Sequence, residues 1–141
     1  MTVLAIDQGT SGTKAIVVDP DDGVIGLAEV PVHPRYLNGG GVEQDPSELL
    51  ESVLGAGRAA VAQADRPIHA VSLANQGETV LAWDPGTGQL LTAAIVWQDR
   101  RAEGLCAALA EYSDLLARSS PVVLTGWGVE LGFCGLAVWL Y

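Results

Sequence analysis

The sequence predicts an α/β fold, a mixed sheet with flanking helices, and three observations carry that prediction. Two apolar β-type runs at the start of the chain are joined by a short polar loop, a third such run follows a Pro-Asp-Asp-Gly turn, and an amphipathic helical stretch then leads into another strand. A hairpin meander followed by helix and strand is the pattern of layered α/β proteins, in which a helix stripe covers one face of the sheet.

The first strand is the run from Val3 to Ile6, ended by Asp7, and the second is entered through Lys14 and runs from Ala15 to Asp19. Pro20-Asp21-Asp22-Gly23 breaks it, since proline fixes φ and the Asp-Gly pair accepts a left-handed residue; Val24 to Val32 then completes a three-stranded antiparallel meander. His33 to Gly41, with Pro34, Asn38 and three consecutive glycines, reads as loop. Asp45-Pro46-Ser47-Glu48 opens a helix, with Asp45 as N-cap, Pro46 at the first helical position and Glu48 three residues after the cap. Leu49, Val53, Ala56, Ala60 and Val61 recur at helical spacing to about Gln63, Arg66-Pro67 ends the helix, and Ile68 to Leu73 returns as a strand.

Asn75 to Glu78 forms a polar connection at the carboxyl end of that strand, where α/β proteins present ligand groups, although a plain connection carries the same residues equally well. Pro85-Gly86-Thr87-Gly88 is a turn, Ala93 to Trp97 a short strand, and Gln98-Asp99-Arg100-Arg101 leads into a helix to about Leu116, with Asp99 as its N-cap and Leu105, Leu109 and Leu116 on its buried side. From Pro121 to Tyr141 the chain is apolar with Glu130 as its single charge; the four glycines and the charge favour a core segment over a membrane span. That segment is expected to pack on further structure and, exposed, to drive self-association or a homo-oligomer.

With 141 residues, 49% hydrophobic and 17% charged, the chain is expected to form one compact domain with a substantial core. Seven basic against 17 acidic residues give a net charge of −10, which argues against nucleic acid as a partner. Cys106 and Cys134 stand far apart without companions at ligand spacing, so neither zinc nor a disulfide framework is expected. The first residues lack a basic n-region and reach Asp7 too early for a signal-peptide core, which places the chain in the cytoplasm.

The opening loop carries the chemistry. Asp7, Gly9, Thr10, Ser11, Gly12, Thr13 and Lys14 together supply a carboxylate, two glycines that admit close approach of backbone N–H groups, three hydroxyls and a cation. Such a hairpin suits the phosphates of a nucleotide, with Asp7 able to hold a magnesium ion or its water shell. Turn geometry alone accounts for Gly9 and Gly12, but not for an acid ending one strand and Gly-Thr-Ser-Gly-Thr-Lys entering the next. The Gly-Lys-Ser/Thr of a Walker loop is missing.

The order resembles the first phosphate loop of the sugar kinase, hexokinase and actin superfamily, Asp-x-Gly-Thr-(Ser/Thr)-x-(Ser/Thr)-(Lys/Arg). Four further blocks follow in order: Gly41-Val42-Glu43-Gln44-Asp45-Pro46, Asn75-Gln76-x-Glu78-Thr79, Trp83-Asp84 with Gly86-Thr87-Gly88, and Ile95-Val96-Trp97-Gln98-Asp99-Arg100-Arg101. Together, over about residues 3 to 126, they resemble the amino-terminal part of FGGY-family carbohydrate kinases, and the glycerol kinases most.

The resemblance implies a ribonuclease-H-like domain of the actin, hexokinase and sugar kinase superfold. It also implies ATP and Mg2+ as cofactors and transfer of the γ-phosphoryl group to a hydroxyl of a small polyol or sugar. Carried over by position, Asp7 resembles the magnesium-linked carboxylate, Gly9, Thr10, Ser11 and Lys14 the phosphate-contacting positions, Glu78 an acceptor for a substrate hydroxyl, and Trp97 an aromatic wall of the substrate pocket. Two positions depart from the glycerol kinases: Gly77 replaces an arginine that donates to the polyol, and Gly132 replaces a tyrosine that contacts it. Losing a buried donor costs on the order of a few kcal/mol, which argues for an acceptor other than glycerol or for a decayed pocket.

FGGY kinases are several times longer, and the resemblance places their general base, most of the adenine site and a carboxyl-terminal domain beyond this region. The chain is therefore expected to be an incomplete amino-terminal domain over residues 1–141, without efficient turnover of its own. The alternatives are a non-catalytic remnant or binding module that keeps the fold, and another superfold member, such as an acetate-kinase-like or chaperone-type ATPase, that shares only the hairpin. Arg100 and Arg101 read as surface cations of a first helical turn, His33 and His69 as structural, and Trp83, Trp127 and Trp139 as packing residues. Glu43 reads as support for the loop before the first helix.

Overall fold

The computed structural model describes residues 1–109, 122–125 and 128–131. In chain order its elements are β1 (Val3–Gln8), β2 (Gly12–Asp19), β3 (Gly23–Pro31), β4 (Arg35–Tyr36), a 3-10 turn (Asn38–Gly40), β5 (Val42–Gln44), α1 (Pro46–Ala64), β6 (Ala70–Asn75), β7 (Ala94–Ile95), α2 (Glu103–Leu109), β8 (Val122–Thr125) and β9 (Gly128–Leu131). They fall into two compact units, Met1–His33 with Asp45–Gln76, and Pro34–Gln44 with Gly77–Tyr141.

The first unit is a four-stranded sheet in the order β3-β2-β1-β6. The hairpins β1–β2 and β2–β3 are antiparallel and β6 lies parallel to β1, so the expected mixed sheet with its meander is present. Pleating sends Leu4, Ile6, Ala15 and Val17 to one face, where they form the core with Ala56, Ala60 and Ala64 of α1. Small residues on that stripe let α1 sit close to the strands: a methyl group added at Gly26 of β3 would overlap the Ala60 carbonyl oxygen. Thr13 faces the same way and is fully buried, its hydroxyl 2.6 Å from that of Ser52 on α1.

The start of α1 is capped as expected, with Asp45 Oδ1 accepting from the Ser47 N–H at 2.8 Å and Pro46 at the first position. Its side-chain amide at Gln63 binds both backbone groups of Leu27, accepting from its N–H at 3.3 Å and donating to its carbonyl at 2.8 Å. That occupies part of the edge of β3. At the opposite edge β6 begins two residues later than expected, because the His69 N–H donates to the Thr2 carbonyl ahead of the ladder.

The second unit holds a sheet in the order β4-β5-β7, extended by a two-way backbone bridge between Val80 and Ile95. The expected loop from His33 to Gly41 contains a two-residue strand and a 3-10 turn, with Gly39 and Gly40 at positive φ. Beyond Val80, a Trp83–Leu90 bridge brackets the predicted Pro85–Gly88 turn, in which Asp84 Oδ1 accepts from the N–H groups of Gly86 and Thr87 at 2.9 and 2.8 Å. The expected strand from Ala93 to Trp97 is two residues long. The helix expected from Asp99 starts instead at Glu103: Asp99 Oδ1 accepts from the Arg101 N–H at 3.0 Å, but the helical bond at the start of α2 runs from the Cys106 N–H to the Ala102 carbonyl. Leu116, Gly132 and most of the apolar segment from Pro121 lie outside the described residues; within that segment β8 and β9 pair as an antiparallel hairpin. Among the described residues no helix is long and apolar enough to cross a membrane.

Candidate functional site

The polar loop between β1 and β2 is a closed hairpin. The Gly9 N–H donates to the Gly12 carbonyl at 2.9 Å, the Gln8 side-chain amide donates to the Gly9 carbonyl at 2.8 Å, and the Ser11 carbonyl accepts from the Val32 N–H at 3.1 Å. Gly9 therefore serves the loop's shape, its own N–H being spent within it, while Ser11 is exposed and Thr10 half-buried at the tip. Of the three hydroxyls noted in the sequence, that of Thr13 is turned away, into the α1 contact.

On the face of the sheet opposite α1, register sets a row of charges. Asp7 of β1 pairs with Lys14 of β2, and Lys14 pairs with Glu29 of β3. Lys14 Nζ stands 3.6 Å from Glu29 Oε2, with both side chains more than half exposed. Asp7 is exposed as well. The cation beside the hairpin thus lies between two carboxylates, and Glu29 is the member that sequence reading did not single out.

The other predicted residues belong to the second unit. Gly77 and Glu78 adopt consecutive left-handed conformations, φ +68° and +46°. For glycine that is unstrained, whereas a glutamate there is a backbone outlier of the kind that concentrates at ligand sites. The space around a side chain at Gly77 is open. Glu78 lies two residues before Val80 and Trp97 two residues after Ile95, so the antiparallel Val80–Ile95 bridge brings both to the same end of this sheet. Trp97 is 46% exposed there.

Two residues beyond Trp97 begins an ion-paired group that the sequence reading did not foresee. Asp99, read as a helix cap, is 4% exposed and accepts from the Val42 N–H at 2.8 Å. Arg101, read as a surface cation, donates from Nε to Asp99 Oδ2 at 2.8 Å and reaches Glu43 Oε1 at 2.9 Å. Glu43 is accordingly a strand residue paired with Arg101. Burial pushes the Asp99 carboxyl up, but the hydrogen bonds from Arg101 and the Val42 N–H outweigh it and hold the group below the ordinary 3.8. Arg100 pairs with Glu103 on α2. The contact between Asp99 and Val42 spans 57 positions, so no local signal announces it.

Among the described residues no three His, Cys, Asp or Glu side chains gather as a metal site. A magnesium ion brought with phosphates needs only one or two protein carboxylates, its other ligands being phosphate oxygens and water, and Asp7 at the hairpin fits that demand.

Residues 2–138 match the FGGY family of carbohydrate kinases, N-terminal domain. The chain is 45% identical over 112 residues to glycerol kinase of Methylobacterium nodulans, an alignment that covers 77% of this chain and 22% of that enzyme. Among solved structures, the glycerol kinase of Plasmodium falciparum with ADP superposes with a TM-score of 0.70 at 30% identity, covering 78% of this chain and 23% of that one. The xylulose kinase of Rhodospirillum rubrum shares the fold with a TM-score of 0.75 at 23% identity, over 82% of this chain and 25% of that one.

Proposed function

From the premise that this chain belongs to the FGGY family of carbohydrate kinases, as an amino-terminal domain with the sugar kinase fold, we propose that it supplies the phosphate hairpin and part of the acceptor pocket of an ATP-dependent kinase for a polyol or sugar hydroxyl. The observation that carries this reading is the Asp7–Lys14 pair across the β1–β2 hairpin, a carboxylate and a cation set side by side at a loop of Gly, Thr and Ser. Lys14 meets the anionic phosphates, Thr10 and Ser11 donate from the loop tip, and Asp7 holds magnesium, which when bound offsets the charge of the phosphates. Glu78 accepts from a substrate hydroxyl and Trp97 lines the pocket with its apolar face.

Phosphoryl transfer depends on positioning and charge neutralisation rather than on covalent chemistry, so a hairpin of fixed shape is a suitable device. No residue of this chain is assigned as the general base. Gly77, standing where glycerol kinases carry an arginine, favours an acceptor other than glycerol. It equally favours the second reading, a module that retains nucleotide or partner binding without transfer.

Calorimetric titration of the purified chain with Mg·ADP tests the proposal. Saturable binding is expected, weakened about tenfold or more by Lys14→Met, the loss of one charge-assisted contact. Asp7→Asn is expected to abolish the dependence of binding on magnesium. A chain that ignores Mg·ADP, or variants that bind it as the parent does, defeats the reading.

A further inference from the structure

The segment that presents Trp97 is a closed turn fastened to one residue. The Asp99 N–H donates to the Val96 carbonyl at 2.8 Å, which places Trp97 and Gln98 at the two corners of Val96–Asp99. At the entry the Val96 N–H donates to the Val42 carbonyl at 3.0 Å; at the exit the Asp99 carboxylate accepts from the Val42 N–H at 2.8 Å. Both peptide groups of one strand residue therefore grip both ends of the turn. Arg101 secures the carboxylate and ties it to Glu43, while the next backbone N–H, that of Arg100, donates to the Gly40 carbonyl at 2.9 Å.

This is a rigid mount for a half-exposed aromatic ring. Asp99 is buried while Arg101 stays 41% exposed, so the pair adds little to stability, but its paired hydrogen bonds fix geometry well. At the other corner of the turn, the Gln98 side-chain oxygen is buried and accepts no hydrogen bond among the described residues. An unmet acceptor of this kind is costly in a folded chain, and a hydroxyl donor from outside relieves it.

We propose that Asp99, backed by Arg101 and Glu43, is a positioning residue that holds the Trp97 indole in one orientation as a wall for the carbon skeleton of a polyol or sugar. The inference rests on the reading of Trp97 as part of the acceptor pocket. Held in advance, the ring loses little freedom when ligand arrives, and the affinity gained is that avoided ordering.

The test uses the full chain labelled with 5-fluorotryptophan. Its four indole signals are separated by 19F NMR, and Trp97→Phe assigns the one of interest. In Asp99→Ala the Trp97 signal is expected to move toward the position of a free indole while the other three stay in place, and Asp99→Asn, which keeps an oxygen for the Val42 N–H, is expected to restore it in part. Should Asp99→Ala fail to fold, Arg101→Met reads the same signal with the Asp99–Val42 bond left intact. Titration with glycerol, D-xylulose and D-gluconate is expected to show binding weakened about tenfold in Asp99→Ala, equal to about 1.4 kcal/mol. A Trp97 signal unchanged in all three variants overturns the inference, and so does a shift of all four indoles together, which marks a merely structural role. If none of the three probes moves the Trp97 signal of the parent chain, the acceptor-pocket reading fails, while the signal in the variants still decides whether Asp99 orders the ring.

Discussion

At the scale of single residues, the neighbour that bears most on the proposed phosphate role of the β1–β2 hairpin is Glu29. It faces Lys14 because β3 carries one extra residue, Ile25, at a bulge opposite Val17 and Val18. Next to the turn, Asp19 pairs with Gly23 and Val18 with Val24; carried on without the bulge, that register would set Ala28 opposite Lys14. Asp7 and Lys14 were legible because they flank the same loop, whereas the partner across β3 depended on a bulge that no local pattern announces. An exposed ion pair contributes little to stability, so Glu29→Gln is expected to leave folding unchanged. It frees Lys14 for a ligand anion, and calorimetry is expected to find Mg·ADP bound more tightly than by the parent; weaker binding would instead make Glu29 part of the site. Asp19 supplies a second test. The backbone N–H of Asp21 holds its carboxyl below the ordinary 3.8 against opposing burial, helped by the Thr2 hydroxyl, the Asp22 N–H and Arg66. A depressed folded pKa favours the folded state above the unfolded value, and that stabilisation is lost as the pH falls through the folded one. Urea midpoints measured from pH 7 to about pH 3 should therefore fall more steeply for the parent than for Asp19→Asn, and parallel curves would rule out this contribution.

At the scale of elements, α1 shows which parts of a sequence speak for themselves. Its cap and its proline are local, so its start was readable; of the expected stripe Ala56 and Ala60 are buried and Val53 and Val61 pack at the margin, while Ser52, Gly57 and Ala64 complete the buried face. The closeness of its packing was not readable, because that depends on Gly26 meeting Ala60 across 34 positions and on strand order. Two glycines at this contact predict opposite outcomes. Gly26→Ala drives a methyl group into the Ala60 carbonyl of a rigid helix, and a loss of about 1–3 kcal/mol is expected in urea denaturation. Gly57→Ala meets the flexible ends of Ile6 and Leu4 at 3.3 and 3.7 Å, and replacing a helical glycine contributes roughly 1 kcal/mol, so that variant is expected to be neutral or stabilised. Equal effects from both would mean that helix propensity, not contact distance, governs this interface. The start of α2 was misread on a rule that is itself obeyed. An aspartate before Arg-Arg-Ala-Glu satisfies the local rules for a cap, and Asp99 Oδ1 does accept from the Arg101 N–H, while its other oxygen binds the distant Val42 N–H and the helix begins only at Glu103.

At the scale of the whole molecule, five ordered blocks made the family readable where one loop left alternatives open, because their spacing reflects a shared chain path rather than a shared turn. What they could not convey is catalytic competence. The chain spans 22% of the glycerol kinase of Methylobacterium nodulans, and its hairpin and the residues proposed for the acceptor pocket lie in separate compact units. Transfer to a hydroxyl in preference to water requires a general base and a site from which solvent is excluded, and none of the residues assigned in this chain supplies that base. The 141-residue chain is therefore expected to bind Mg·ADP without phosphorylating glycerol, D-xylulose or D-gluconate, any consumption of ATP appearing as free phosphate. Phosphorus NMR of a reaction with ATP distinguishes the two products directly. Phosphate-ester formation at the ordinary rate of a kinase, on the order of 1–100 per second, would show instead that the base lies among these residues and that the assignment of roles is incomplete.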